Sequence, residues 1–392
     1  MRVVVVGAGP AGVRVAHGAA GQGLGVSLLG AEPGAPYNRV ALSNLLAGDL
    51  DEAGLTTPAC PGVDYRPGTR VAALDRGNQR VLLEGGGALA YDRLVLATGS
   101  RAVRLPLPGA DLPGVLLYRT LADVRAMLDA AGAGGRAVVI GGGLLGLEAA
   151  AGLARRGMAV TVVHAVDRLM ERQLDGGGAA RLARRLAGQG VSLALAASTR
   201  AITGTSRAEG VELADGRVLP ADLVVMAVGI RPETGLAQAA DLALGRGIIV
   251  DDAMRTSDPA ILAVGECAEH RGVCCGLAAP ALAQADVAVA TLLGQPAAYN
   301  PAEDSTALKV AGAAVWSAGE PAAADADSLT LDDEDLGCYR HLLLREGRLV
   351  GAVLLGETGD APWYLSLIRG GTDVSAMRHA LPFGPGLAGT LP

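Results

Sequence analysis

The stretch that decides the fold is VVVVGAGPAG, Val3–Gly12. Four β-branched residues form a short strand, the chain breaks at glycine, and Val13–Ala20 reads as a helix. Strand, glycine turn and helix together make G-x-G-x-x-G informative. Gly7 permits the tight turn, Gly9 lets a pyrophosphate approach the backbone, and Gly12 lets helix and strand pack closely. The helix start offers unpaired N–H groups and partial positive charge to phosphate. Glu32 follows a second apolar strand, Val26–Leu29, about 20 residues beyond Gly12, where a carboxylate accepts ribose hydroxyls. Turn, position and acid together read as a dinucleotide site.

Outward from this stretch, the pattern recurs. Ala137–Gly146, AVVIGGGLLG, is a second strand and glycine turn, and Leu147–Arg156 reads as its helix. Val160–His164 matches Val26–Gly30 without a gap. Leu223–Gly229, LVVMAVG, echoes Leu94–Gly99 at the end of YDRLVLATG. Two matched pairs at an offset of about 130 residues mark an internal duplication. One chain with two dinucleotide sites implies two cofactors that meet. A third signal is TSDPAILAVGE, Thr256–Glu266: a turn, an apolar strand, then glycine and acid.

The remaining segments fill the space between these landmarks. Pro36 and Asn38 suggest a turn and Arg39–Leu46 a short helix. Tyr65–Leu83 reads as strands with a turn at Gly77-Asn78. Prolines and glycines crowd between Pro106 and Gly114, which reads as a linker. Leu277–Leu293, interrupted by Gln284 and Asp286, reads as a buried helix. After Pro301 strand-like segments alternate with turns. The acidic run Asp332–Asp335 reads as a solvated loop, and Tyr364–Arg369 and Val374–Leu381 read as helical.

Bulk properties narrow the function class. A length of 392 residues suits two or three domains. The net charge of −7 argues against a nucleic-acid surface. No uninterrupted apolar run reaches the roughly 18 residues that span a bilayer. No signal peptide is legible ahead of the first turn, so the chain reads as cytoplasmic, with no membrane partner. Five cysteines form no evident disulfide framework.

In this order the landmarks resemble the FAD-dependent pyridine-nucleotide oxidoreductases of the glutathione-reductase fold. The resemblance implies an α/β chain with two Rossmann-like FAD/NAD(P)-binding domains, the second inserted in the first, plus a small C-terminal α+β domain. The expected boundaries are 1–112 with 230–300 for FAD, 113–229 for NAD(P)H, and 301–392. YNRVALSNLLAG (Tyr37–Gly48), LMERQLD (Leu169–Asp175), GECAEHRG (Gly265–Gly272) and STALKVAG (Ser305–Gly312) are similar to the flavin module of nitrite-reductase large subunits. They are also similar to electron-transfer subunits of assimilatory nitrate reduction and to NADH:rubredoxin reductases.

The resemblance implies that FAD meets Gly7, Gly9, Pro10, Ala11, Gly12, Glu32, Arg39, Ser43 and Val71. It also implies contacts from Ala97, Thr98 and Gly99, from Gly265 and Glu266 (where the family usually has Asp), and from Leu277, Ala278 and Ala279. Gly141, Gly143, Leu144, Leu145, Gly146, His164, Arg168 and Gly229 fall at the NAD(P)H positions. Glu148 resembles a family glutamate near the nicotinamide, and Lys309, the sole lysine, suits a crowded site by the flavin or a docking face. These two are the expected catalytic residues.

Hydride passes from nicotinamide to flavin in such proteins, and the cofactors carry that chemistry. No metal is expected in this chain. His164 stands where the usual strand-end acid would be, and Arg168 could take a 2′-phosphate; the reading leans to NADH over NADPH. No C-x-x-C is present, Asn44 falls near where NADH oxidases keep a reactive cysteine, and Cys274-Cys275 read as buried small residues. Electrons are then expected to leave to a separate iron-containing protein, in nitrate or nitrite assimilation, or rubredoxin or ferredoxin. A flavin-binding redox sensor or scaffold is the alternative of another class. Oligomeric state is open.

Overall fold

The structure is a computed structural model and describes residues 1–301, 305–310, 312–321, 323 and 325–388. The chain forms two compact units. One comprises Met1–Leu45, Asp49–Ala102 and Ile230–Pro301; the other comprises Leu46–Gly48, Val103–Gly229 and Ala302–Pro392.

The first unit is built on a parallel five-stranded sheet. Its order is Ile261–Ala263, Arg93–Leu96, Arg2–Val6, Gly25–Leu29, Val63–Arg66. Val3–Val6 lie at the centre and are buried, which is why the run is apolar without alternation. Helix Pro10–Gly21 turns Val13, Val15, Ala16 and Ala19 inward. Helix Ala278–Leu292 lies alongside: a Cβ added at Gly18 would come 2.9 Å from Val289. An antiparallel three-stranded sheet, Val71–Asp75, Arg80–Leu83 and Ala88–Ala90, completes the unit. The expected turn is there, with the Asn78 amide donating to Asp75 Oδ1 at 3.0 Å.

The second unit repeats the plan. Its parallel sheet runs Val191–Ala194, Ala159–Val163, Arg136–Ile140, Leu223–Met226, Val115–Leu117. Helix Leu144–Arg155 follows the central strand. The segment read as a linker, Pro106–Gly114, is packed instead: Ala110 is buried, Leu107 and Leu112 lie against the same core, and the Ile202 amide donates to Pro108 O at 2.9 Å.

The same unit carries a five-stranded antiparallel sheet. Its order is Ser305–Val310, Ala313–Gly319, Arg348–Leu355, Cys338–Arg345, Asp327–Asp333. Helix Ala361–Gly370 buries Tyr364, Leu367 and Ile368 against Trp316, Leu342 and Leu354. Two local expectations are corrected here. The acidic run is a solvated turn only in its second half: Asp332 and Asp333 end a strand, Glu334 and Asp335 lie in the exposed turn that follows, and Asp332 and Glu334 pair with Arg181 and Arg184 of helix Gly176–Gly188. Val374–Leu381 forms single 3₁₀ turns, Ser375–Met377 and Leu381–Phe383, in place of a helix. Gly371 at φ +54° caps the preceding helix, and Pro382 leaves no N–H for continuation.

Candidate functional site

Two glycine turns, each at the carboxyl end of its parallel sheet, form the candidate sites. In the first, Gly7 adopts φ +113°, and a Cβ there would lie 2.1 Å from the Ala97 carbonyl oxygen. A Cβ on Gly12 would lie 1.9 Å from the Gly7 oxygen. In the second, Gly141 adopts φ +123° with Ala227 O at 2.3 Å, and Gly146 would meet Gly141 O at 2.0 Å. The same three backbones approach in both, so side chains are excluded at the same points. Gly9 and Gly143 differ: nothing lies within 4 Å of an added Cβ, and each is the N-cap of its helix with no side-chain cap. Open space beside uncapped helix amides is an anion cradle. Pro10 and Ala11 begin the first helix and Leu144 and Leu145 the second, with Gly146 buried.

The first cradle has further parts. Gly265 at φ +80° brings its backbone beside Ala11, whose Cβ would be 3.2 Å from an added methyl. Its amide donates to Gln284 Oε1 at 2.8 Å, and Gln284 is buried in helix Ala278–Leu292. The Ser100 hydroxyl donates to Glu266 Oε2 at 2.8 Å. Thr98 donates through its hydroxyl to Glu233 O at 2.7 Å, and Gly99 is left-handed at φ +69°. Leu277 is the N-cap of the helix, again with no side-chain cap, so the first amides of Ala278 and Ala279 suit negative charge. Glu32 accepts from the Tyr37 hydroxyl at 2.7 Å and from Arg39, whose guanidinium lies over the Tyr37 ring at 5.1 Å. Ser43 is half-buried, and Val71 is buried in the unit's core.

In the second cradle, His164 follows the strand Ala159–Val163. The Gly142 amide donates to its Nδ1 at 3.1 Å, and its Nε2 lies 3.2 Å from Glu171 Oε2. Arg168 sits 3.6 Å from Asp167. Glu148 is half-buried on helix Leu144–Arg155. Gly229 adopts φ +120° with open space around it. The backbone of Lys309 lies in the strand Ser305–Val310; its side chain is outside the described residues.

Cys274 and Cys275 are half-buried, where the sequence suggested full burial. Burial first, then the Glu266 charge, pushes the Cys275 thiol up to about 12. Burial also raises Cys267 and Cys274. These sulfurs therefore stay protonated near neutral pH and are poor nucleophiles. Among the described residues no group of three His, Cys, Asp or Glu side chains is placed to hold a metal, and no helix is long and apolar enough to cross a membrane.

Sequence reasoning missed Ser100, Gln284, Tyr37 and Glu171. Gln284 carried a signal: an uncharged polar residue inside an otherwise apolar helix.

Paired glycine cradles on paired parallel sheets define a protein that holds two dinucleotides. The pyridine nucleotide-disulphide oxidoreductase family model matches residues 1–291, and the rubredoxin NAD⁺ reductase C-terminal domain model matches residues 305–372. The chain belongs to the pyridine nucleotide-disulphide oxidoreductase family, which uses FAD and NAD(P)H. It is 41% identical over 384 residues to nitrite reductase [NAD(P)H] of Bacillus subtilis (strain 168), covering 95% of this chain and 48% of that protein. It is 38% identical over 390 residues to the assimilatory nitrate reductase electron transfer subunit of the same organism, covering 97% and 51%. The chain thus spans about half the length of these relatives. Its fold superposes on the covalent putidaredoxin reductase–putidaredoxin complex with a TM-score of 0.87 at 29% identity, covering 99% of this chain and 95% of that one. The two cradles fit the family's cofactors: each leaves room at the glycine a phosphate would approach, and each presents uncapped helix amides there.

Proposed function

We propose that this chain is an FAD-dependent NAD(P)H:acceptor oxidoreductase that delivers electrons to a separate iron-containing redox protein in nitrate or nitrite assimilation. The observation that carries the reading is the repeated glycine geometry, with the Gly265–Glu266 turn added beside only the first copy. In this reading the first unit holds FAD and residues 113–229 hold NAD(P)H. FAD, when bound, supplies two-electron acceptance and one-electron release. The chain supplies placement. Uncapped amides after Gly9 and Gly143 bind pyrophosphate. Ser100 and Gln284 hold the Gly265–Glu266 turn against the first cradle. The amides of Ala278 and Ala279 offset negative charge on reduced flavin. Glu148 would orient the nicotinamide amide, and Lys309 would serve the flavin or a partner's docking. A cytoplasmic location is part of the proposal.

A second reading, NADH:rubredoxin or ferredoxin reductase, is favoured by the match of residues 305–372 to the rubredoxin reductase domain and by the likeness to putidaredoxin reductase. Anaerobic stopped-flow separates the two. NADH or NADPH should bleach a flavin spectrum within milliseconds, and adding nitrate or nitrite reductase components should restore it faster than rubredoxin or ferredoxin does. The reverse order of acceptors selects the second reading. A colourless protein that takes up no flavin and leaves NADH and NADPH unoxidised defeats both.

A further inference from the structure

Strand-end recognition of an adenosine ribose needs an acceptor for its hydroxyls, and His164 occupies the position where an acid ordinarily stands. Its two nitrogens are already engaged. Because the Gly142 amide donates to Nδ1, the ring proton resides on Nε2 and points to Glu171. The neutral ring therefore has no nitrogen left for a ribose hydroxyl. Its side chain is 12% exposed, against 32% for Glu171. The ring also stands directly over the glycine turn, since a Cβ on Gly142 would lie 2.7 Å from its carbons.

The segment after His164 is clamped to the same glycine from the other side. The Met170 amide donates to Gly142 O at 3.0 Å, with Met170 in the left-handed region at φ +50°. A non-glycine residue takes that conformation at a cost, and here it turns the following residue, Glu171, back toward the imidazole. Gly142 thus gives its N–H to the start of the 164–171 segment and accepts at its C=O from near the end. The carboxylate that results sits one imidazole beyond the glycine turn. Of the cations in this loop, Arg168 lies beside Asp167 and Arg172 is exposed.

We infer that Glu171 is the coenzyme-selecting residue, accepting the adenosine-ribose hydroxyls of NADH and opposing the 2′-phosphate of NADPH, with His164 as the positioning residue that aims it. This rests on the proposed NAD(P)H role of the second glycine turn. A fixed carboxylate discriminates in two ways at once. It offers a charge-assisted acceptor to a hydroxyl and places like charge against a phosphate.

The test is direct binding, by calorimetry on the flavin-loaded protein, with NAD⁺, NADP⁺, 5′-AMP and 2′,5′-ADP. These report affinity without turnover. The native chain should bind NAD⁺ about tenfold or more tighter than NADP⁺. Glu171→Gln should weaken NAD⁺ severalfold and bring the two coenzymes close together, Glu171→Asp should recover part of the gap, and His164→Phe should behave like Glu171→Gln. Flavin content and melting temperature check that each variant is folded. A native preference for NADP⁺, or an NAD⁺/NADP⁺ ratio unmoved by Glu171→Gln, overturns the inference and leaves the parent reading intact. A native chain that binds none of the four ligands overturns the parent reading.

Discussion

Replacing Gln284 with leucine removes a polar amide and almost no volume. Gln284 is 1% exposed, and its Oε1 is the acceptor 2.8 Å from the Gly265 amide. Gly265 is itself buried and left-handed. In Gln284→Leu that amide loses this acceptor within an apolar helix face. An orphaned buried N–H costs about 1–3 kcal/mol. The turn can escape by shifting toward water, but Glu266 then leaves the cradle. If flavin binding must restore the turn, that cost appears in affinity, roughly a 5- to 150-fold rise in the FAD dissociation constant. If the turn stays, the cost appears as lower stability of the flavin-free protein; the two are linked by mass action. The assay is fluorescence titration of flavin-free protein with FAD, paired with thermal melts with and without flavin. Ser100→Ala, which removes one hydroxyl donor from Glu266, should show a smaller effect in the same direction. A Gln284→Leu protein with native FAD affinity and native melting temperatures in both states would refute the reasoning.

Three further outcomes are expected. Gly12→Ala should purify largely without flavin, whereas Gly146→Ala should stay yellow but bind NAD⁺ weakly, because the added methyls would lie 1.9 and 2.0 Å from backbone oxygens of different cradles; absorbance and calorimetry read the two. Asp175→Ala should destabilise by about 2–4 kcal/mol in urea titration, combining a lost helix cap with an orphaned buried tyrosine hydroxyl, while Asp175→Asn should keep most of the cap. Asp252 is held below the usual carboxylate range by hydrogen bonds from Arg271 and then His270. Its folded-state pKa is depressed, so its stabilisation is complete above the ordinary aspartate value of about 4 and disappears as pH falls through the depressed one. Asp252→Asn should therefore melt lower than the native chain at pH 7, and the gap between the two should narrow as the pH falls below the ordinary aspartate range.

Both glycine turns could be read in advance because backbone touching backbone admits one residue type. Gly7 against Ala97 and Gly141 against Ala227 leave a mark in the sequence that no side chain can counterfeit. The central strands were legible for a similar reason, since burial on both faces forbids alternation. Partners chosen across long chain separations left no such mark. Ser100 meets Glu266 across 166 positions and Arg184 meets Glu334 across 150, so the arginine partners of the exposed acidic run could not be read from its neighbours. His164 was legible as a departure from the usual acid. Glu171 was not, because its relation to His164 depends on a left-handed methionine that composition does not announce.

The chain leaves its first unit at Ala102 and re-enters at Ile230, and these two residues face each other as Cα partners in a short antiparallel ladder, Ser100–Ala102 with Ile230–Pro232. Exit and return are thus a hairpin's width apart. A tight turn spliced across that gap would excise residues 103–229 without pulling on the parallel sheet beneath. An ancestral single-cradle protein could have acquired its second copy through the same doorway, the packing of residues 176–188 against 327–334 following later.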